Sequence, residues 1–487
     1  MAFVQKKNLD HNNSWGAPAT PHPSYTVPSD GNVQNTIRME MSKDGIVYVN
    51  AYDNGSSPSD ILNPFTEIAS RNSGLGQSSD FGNAVKIYNE KIFVGDRSAV
   101  DSNRTTYNGN AGGRVFVYNF DGDLIDSIRA PAGNSYNFGF DIKVTGSLLL
   151  IASRSSITGF KYWQYNAETL EYAHNPSLYY HGGLSEVHPN QRGGLHAKNG
   201  RVVKAGVDDD EYDTFLNIYD HDGRTLNAMQ HHHYAELLDS TLVRFQPTYG
   251  SRGAPLSGKF AVGDGLIVNL TWAYSDDYYN DYTSPATSKI LGTVFDLNGG
   301  FKFFLNTPDS DTYGPMFVDN RNDEYGSGAG GLKHQVGIGG GRIAVPVTDV
   351  PEEAAYVEPY QKKVVLYDYS GNLINVLHSR PHSDTSKLYD SDGMYFGEQG
   401  VIIADDRILV LSGQYDGGNE FNLIHHYTLD GDYIFTDSDI DRGQYDNTDV
   451  GIDAREGKIV VASEDNKLYM TDMPRKRISV MDALDMY

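Results

Sequence analysis

Three groups of side chains have types and spacing that could do chemistry. Trp272, Tyr274, Tyr278, Tyr279 and Tyr282 lie among Asp and Asn in WAYSDDYYNDYTS. Aromatic faces beside polar acceptors suit sugar rings, and they suit a protein interface or a plain surface loop equally well. Asp437, Asp439 and Asp441 alternate in TDSDIDRG. Carboxylates at every second position could converge as hard oxygen ligands on Ca²⁺ if the segment is a loop. An EF-hand-like loop would need a glycine directly after the third acid and a bidentate Glu later, and neither is present at that spacing. A solvated acidic loop accounts for the same residues. The third group, His231, His232 and His233, is consecutive, so its members point to different faces in a helix or a strand and make a poor three-ligand site alone. His196, His334 and His425 are the distant histidines that could complete such a site.

Other catalytic signatures are missing. There is no Gly-x-Ser-x-Gly elbow, no His-Glu-x-x-His, no phosphate-cradling Gly-x-x-x-x-Gly-Lys and no dinucleotide fingerprint. GIGGGR, from Gly337 to Arg342, is glycine-rich but enters a strand pattern with no helix behind it, and it reads as a turn. We therefore expect no catalytic residue and no resident cofactor, with Ca²⁺ the one candidate ion. A metal-dependent polysaccharide lyase or hydrolase using channel histidines is the enzymatic alternative.

The elements that would position these groups are strands. The chain has 487 residues with 51 Gly, 34 Tyr and 20 Phe, and few stretches show apolar residues at helical spacing. A hairpin recurs, clearest as FGNAVKIYNEKIFVGDR from Phe81 and FGFDIKVTGSLLLIASR from Phe138. Its second strand starts at Ile92, Leu148, Val202, Leu266, Ile343, Ile408 and Ile459, with an additional early copy at Ile46. Successive differences run from 46 residues (Ile46 to Ile92) to 77 (Leu266 to Ile343), a cadence with loops of varied length inserted. A second hairpin follows each, as in RVFVYNFDGDLIDSI and VVLYDYSGNLINVL. In these, Gly122, Gly223, Gly299, Gly371 and Gly431 fall where the turn needs a positive φ.

Two hairpins per unit make a four-stranded sheet, and seven such sheets arranged cyclically make a single all-β propeller. We expect an extended Pro-rich N-terminal arm over 1–35, a propeller over 36–473 and a C-terminal tail over 474–487. The early hairpin, Ile46 to Val49, is either a shortened eighth blade or a contribution to the last blade, and Pro474 in the poor final hairpin favours the second.

Net charge sets the partners. Thirty-nine Lys and Arg against 64 Asp and Glu give −25, which argues against nucleic acid and anionic membrane. With no Cys there is neither a disulfide framework nor a thiolate-held metal. No apolar run approaches a membrane span, and the chain reads as soluble and unprocessed.

DFGNAVKIYNEKIFVGD, followed by GGRVFVYNFDGDLI, resembles the FG-GAP repeat of integrin-α-type propellers, with partial recurrences at Phe138-Gly139 and Phe396-Gly397. The family's blades often carry an Asp-rich Ca²⁺ loop, of which this chain has no complete copy. An acidic, Tyr-rich, cysteine-free propeller with a proline-containing arm is also similar to virion structural proteins of tailed bacteriophages. That resemblance implies a virion location, in the tail, a fibre or a head decoration, and a non-catalytic role. It also implies multiple copies or a homo-oligomer, contacting other virion proteins through the arm and the tail. The alternative is an extracellular carbohydrate-binding propeller that takes a glycan at Trp272 to Ser284.

Overall fold

The computed structural model describes residues 25–27, 35–41, 46–53, 61–62, 66–70, 81–97, 99, 112–129, 137–155, 159–172, 194–207, 214–221, 224–230, 260–270, 290–313, 316–317, 336–349, 362–378, 396–397, 400–416, 419–441, 451–463, 467–473 and 478–479. The chain forms two compact units, 63–471 and a second made of 1–62 with 472–487. The larger is a β-propeller of seven blades. Its only described helix is the single turn Ser310–Tyr313.

Blade 1 is the meander Phe81–Tyr88, Lys91–Asp96, Arg114–Asn119, Leu124–Arg129. Blades 2 to 6 start with inner strands Ile142–Thr145, Gly194–Lys198, Phe260–Gly263, Gly337–Gly339 and Gly400–Ala404. In each of these blades the next two strands follow in sequence order. In blade 2 the described part of the fourth strand is a bridge between Tyr165 and Tyr172. Blade 7 takes Ile452–Arg455, Lys458–Ser463 and Lys467–Asp472 from the end of the chain and Thr66–Ser70 from its beginning. The last pairing is antiparallel, with Lys467 opposite Ser70 and Met470 opposite Thr66.

Both chain ends therefore do close the ring, but through Thr66–Ser70. The early hairpin, Asn35–Met41 with Ile46–Asp53, belongs to a separate sheet that also holds Tyr25–Val27 and Ile478–Ser479. It is not an eighth blade. Ile478–Ser479 pairs with this hairpin, Val47 opposite Ile478.

The core lies between blades. Phe93, Val115, Val117, Phe138, Ile142, Leu149 and Ile151 interleave blades 1 and 2, and Ala344, Val364, Leu366, Phe396, Val401 and Ile408 do the same for blades 5 and 6. The closing face is of the same kind, with Phe81, Val85, Ile87 and Ile92 of blade 1 on Val460, Ala462 and Leu468 of blade 7. Burying each such aliphatic or aromatic side chain contributes about 1.5–3 kcal/mol. Burial grades outward: Ile142–Thr145 is buried throughout, whereas Leu124–Arg129 is mostly exposed.

Directed bonds fix the blades' register on one another. Tyr165, Tyr367 and Tyr427, each on a third strand, donate to the carbonyls of Arg129, Asn306 and His378, each on the outer strand of the preceding blade, at 2.8, 2.6 and 2.9 Å. Arg201 and Arg342 donate to the next blade's outer turn, at the carbonyls of Leu297 and Leu429. Those outer turns are held from the strand end, because Asn119, Asp296 and Asp368 accept backbone N–H groups two and four residues on. Gly122, Gly299, Gly371 and Gly431 have φ of 82–87°, as the sequence requires, and Gly223 lies outside the described residues.

The Phe-Gly dipeptides have a packing role. Phe138 and Phe396 are fully buried, and Gly82, Gly139 and Gly397 follow at φ of 87, 90 and 72°. At Gly82 a methyl would overlap the Ala462 side chain across the closing face. Gly200, also at positive φ (72°), has open space around it. Gly82→Ala is expected to lower stability by about 2–4 kcal/mol, strain and overpacking together, and Gly200→Ala by the strain alone. Tyr367→Phe is expected to cost about 1 kcal/mol for the lost inter-blade bond. Urea unfolding midpoints check all three. Equal losses for the two glycine variants would mean that the closing face does not contribute as described.

Candidate functional site

Seven inner strands surround a central channel, each touching the next, with Ile452–Arg455 meeting Phe81–Tyr88 to complete the circuit. A strand that runs along a channel turns alternate side chains into it. Lys86, Lys143, His196, Lys198, Asp453 and Arg455 line a cavity of about 270 Å³ together with Ile87, Val144, Val262, Ile338, Val401 and Ile403. Asp405 stands in the lining as well, from the exposed first turn of blade 6. Four cations thus face two carboxylates in a chain whose net charge is −25.

Two of those cations are neutralised. Lys86 is 3.2 Å from Asp453, which also accepts the Ile87 N–H at 2.8 Å and so joins blade 7 to blade 1. Lys143 is 3.0 Å from Asp141, a carboxylate that also accepts the Tyr162 hydroxyl. Desolvation, then the Asp141 charge and hydrogen bond, push the Tyr162 phenol well up. Lys198 reaches across blade 4 to the Ile338 carbonyl at 3.4 Å, and Arg455 stacks its guanidinium 5.7 Å from the Tyr88 ring centre. Neither has a carboxylate within ion-pair distance among the described residues. Burial pulls the Lys198 amine down, with Arg455 and Lys86 acting the same way against Asp264 and Asp453.

His196 sits half-buried on the channel wall, 4.8 Å edge-on to Phe260. Burial first, then the ammonium groups of Lys143, Lys86 and Lys198, hold its imidazole well below the ordinary histidine range. A neutral imidazole beside cations can donate or accept a hydrogen bond without adding charge. No hydroxyl or thiol side chain is among the lining residues. The arrangement suits holding an anion.

Of the sequence-derived candidates among the described residues, His196 lines this cavity. The aromatic group Trp272, Tyr274, Tyr278, Tyr279 and Tyr282, the triplet His231 to His233, and His334 lie outside the described residues. Asp437, Asp439 and Asp441 belong to the strand Tyr433–Asp441 instead of a loop. Alternate positions on a strand stand about 6.5 Å apart; the three side chains lie outside the described residues. No group of three metal-ligating side chains occurs among the described residues.

His425 is not a channel residue. It lies on the third strand of blade 6, buried against Phe396, with Nδ1 2.8 Å from the Thr436 hydroxyl and Nε2 buried without a partner. The lysines of the channel went unnoticed in the sequence because each is a lone charge in a separate blade. The signal was present in the alignment of repeats, where Lys86 of FGNAVKIY and Lys143 of FGFDIKVT share a position.

Burial, reinforced by neighbouring His426, lowers the His425 imidazole to about 3. The unfolded chain takes up that proton near its ordinary value of about 6.5, so below this pH the unfolded state binds more protons and stability falls with falling pH. The expected slope from this group is about 1.4 kcal/mol per unit between pH 6 and 4. His425→Gln should flatten the profile of unfolding free energy over that window. An unchanged profile would mean that the imidazole is not held neutral.

No protein-family model matches the chain, and no curated protein does. Similar solved structures include BamB from Moraxella catarrhalis, at 12% identity over 93% of this chain and 99% of that one, with a TM-score of 0.38. The β-propeller domain of the Trilobed protease from Pyrococcus furiosus is 11% identical over 83% and 99%, TM-score 0.43. An ulvan polysaccharide lyase is 9% identical over 84% and 95%, TM-score 0.41.

Proposed function

We propose that the chain is a non-catalytic interaction component of a tailed-bacteriophage virion, in the tail, a fibre or a head decoration. In this reading the propeller is a rigid display disc in an extracellular particle. The observation that carries the proposal is the use made of the chain ends. The ring closes on Thr66–Ser70, and four strands beyond it, Tyr25–Val27, Asn35–Met41, Ile46–Asp53 and Ile478–Ser479, form a sheet of their own. A unit that the ring does not need for closure is available for contacts with neighbouring subunits.

Two further features support an interaction role. Leu124, Phe301 and Leu373, each the first residue of an outer strand, are 45, 41 and 38% exposed. Apolar side chains repeated at one exposed position are what an assembly surface presents. The Phe-Gly dipeptides at Gly82, Gly139 and Gly397 support reading the blades as FG-GAP-like repeats. High negative charge keeps crowded copies from precipitating.

The native mass of the full chain beside residues 63–471 tests the proposal. The full chain is expected to form a multimer and the ring alone a monomer. Equal, monomeric masses would refute assembly through the chain ends.

A further inference from the structure

The channel holds an unsatisfied demand for negative charge. Lys86 and Lys143 have their own carboxylates, whereas Lys198, with a 3.4 Å carbonyl contact, and Arg455, on an aromatic face, have none within ion-pair distance among the described residues, and Asp264 and Asp453 act on Lys198 only from further off. Lys198 is partly buried, where repulsion by the neighbouring cations is stronger than in bulk water, whereas Arg455 is exposed. An anion entering between them relieves that repulsion and meets charged donors. Asp405, exposed on its turn, is the remaining carboxylate of the lining. Asp453 is spent on Lys86 and the Ile87 N–H. His196 adds a neutral ring nitrogen.

The rest of the lining says what the anion carries. Ile87, Val144, Val262, Ile338, Val401 and Ile403 form an apolar wall. A bare inorganic oxyanion would leave that wall in contact with water, whereas a compact apolar body would cover it. A volume of about 270 Å³ lies just below the usual range for drug-sized ligands, about 300–1,000 Å³, and so suits a small molecule. We infer that the propeller channel binds one small organic carboxylate, its carboxyl group between Lys198 and Arg455 and its apolar body against the valine and isoleucine wall. This site is independent of any role for the chain ends, and it stands whether or not the protein assembles into a particle.

Titration calorimetry of the full chain at low ionic strength, where charge is least screened, tests this with three probes. Benzoate supplies a carboxylate on an apolar ring, benzamide the same ring without charge, and sulfate the charge without the ring. One benzoate per chain is expected, with benzamide and sulfate each at least tenfold weaker. Lys198→Met and Arg455→Met, made separately, should each weaken benzoate at least tenfold. Lys458→Met, a lysine stacked on Phe120 outside the cavity lining, should leave it unchanged. Circular dichroism melts confirm which variants are folded, and Lys198→Gln replaces any that is not. Benzamide binding as tightly as benzoate would overturn the charge assignment. Sulfate equalling benzoate would overturn the apolar one. Full affinity in both folded channel variants would overturn the site.

Discussion

A sheet buried on both faces must find a neighbour on both faces, and that requirement organises the ring. Each blade of this propeller offers an apolar surface to the blade before it and the blade after it. A linear stack would leave two such surfaces in water; a circle leaves none. The closing face between blades 7 and 1 uses the same residue types as the others, with Phe81, Val85 and Ile87 on Val460, Ala462 and Leu468. What differs is the covalent origin of blade 7, whose outer strand comes from Thr66–Ser70. Polar contacts then set the register. Glu456 accepts the Asn89 and Glu90 N–H groups at 2.8 and 2.9 Å, so the first turn of blade 7 grips the first turn of blade 1. Thr145 and Asp264 make the equivalent contact to Gly200 and Gly340 in the next blades.

The channel follows from the same geometry. Inner strands are short and converge, so residues that are distant in sequence meet there at close quarters. Lys86, Lys143 and Lys198 come from three consecutive blades and all act on His196. The outer surface of a strongly acidic protein and its cationic centre are thereby held apart by the blades themselves. The consequence is a site whose sign is opposite to that of the molecule, with the imidazole kept neutral by its surroundings.

The repeat was legible because it rests on local chemistry. Alternating apolar residues, the turn glycines and the Phe-Gly dipeptides each act within one hairpin, and Gly122, Gly299, Gly371 and Gly431 take the positive φ that the spacing requires. The outer turns are held by acceptors that precede the turn itself. The acceptors are Asn119 and Asp296 at the strand ends, where a side chain can reach forward to two N–H groups. Closure was read correctly as joining both ends but assigned to the hairpin at Ile46, because TEIAS is too short to carry a period of its own. The channel was legible only as the shared repeat position of Lys86 and Lys143. Its residues are single charges separated by tens of positions, and only the circular arrangement makes them neighbours. His196 and His425, both offered as distant partners for a histidine site, part company for the same reason: one is on an inner strand and the other is two strands further out in a different blade.

The joined origin of blade 7 also imposes an order on synthesis. Lys467 pairs with Ser70, a separation of nearly four hundred residues, so the strand Thr66–Ser70 emerges long before its partner exists. At ribosomal rates of roughly 5–20 residues per second, it waits for about 20–80 seconds. During that interval Phe81, Val85 and Ile87 have no blade to cover them, and the growing chain is an open arc with an apolar edge at each end. Pairing across so long a loop is slow to nucleate. The nascent protein therefore passes through a period in which an arc from another ribosome, equally unfinished, offers the same complementary edge that its own last blade will later supply.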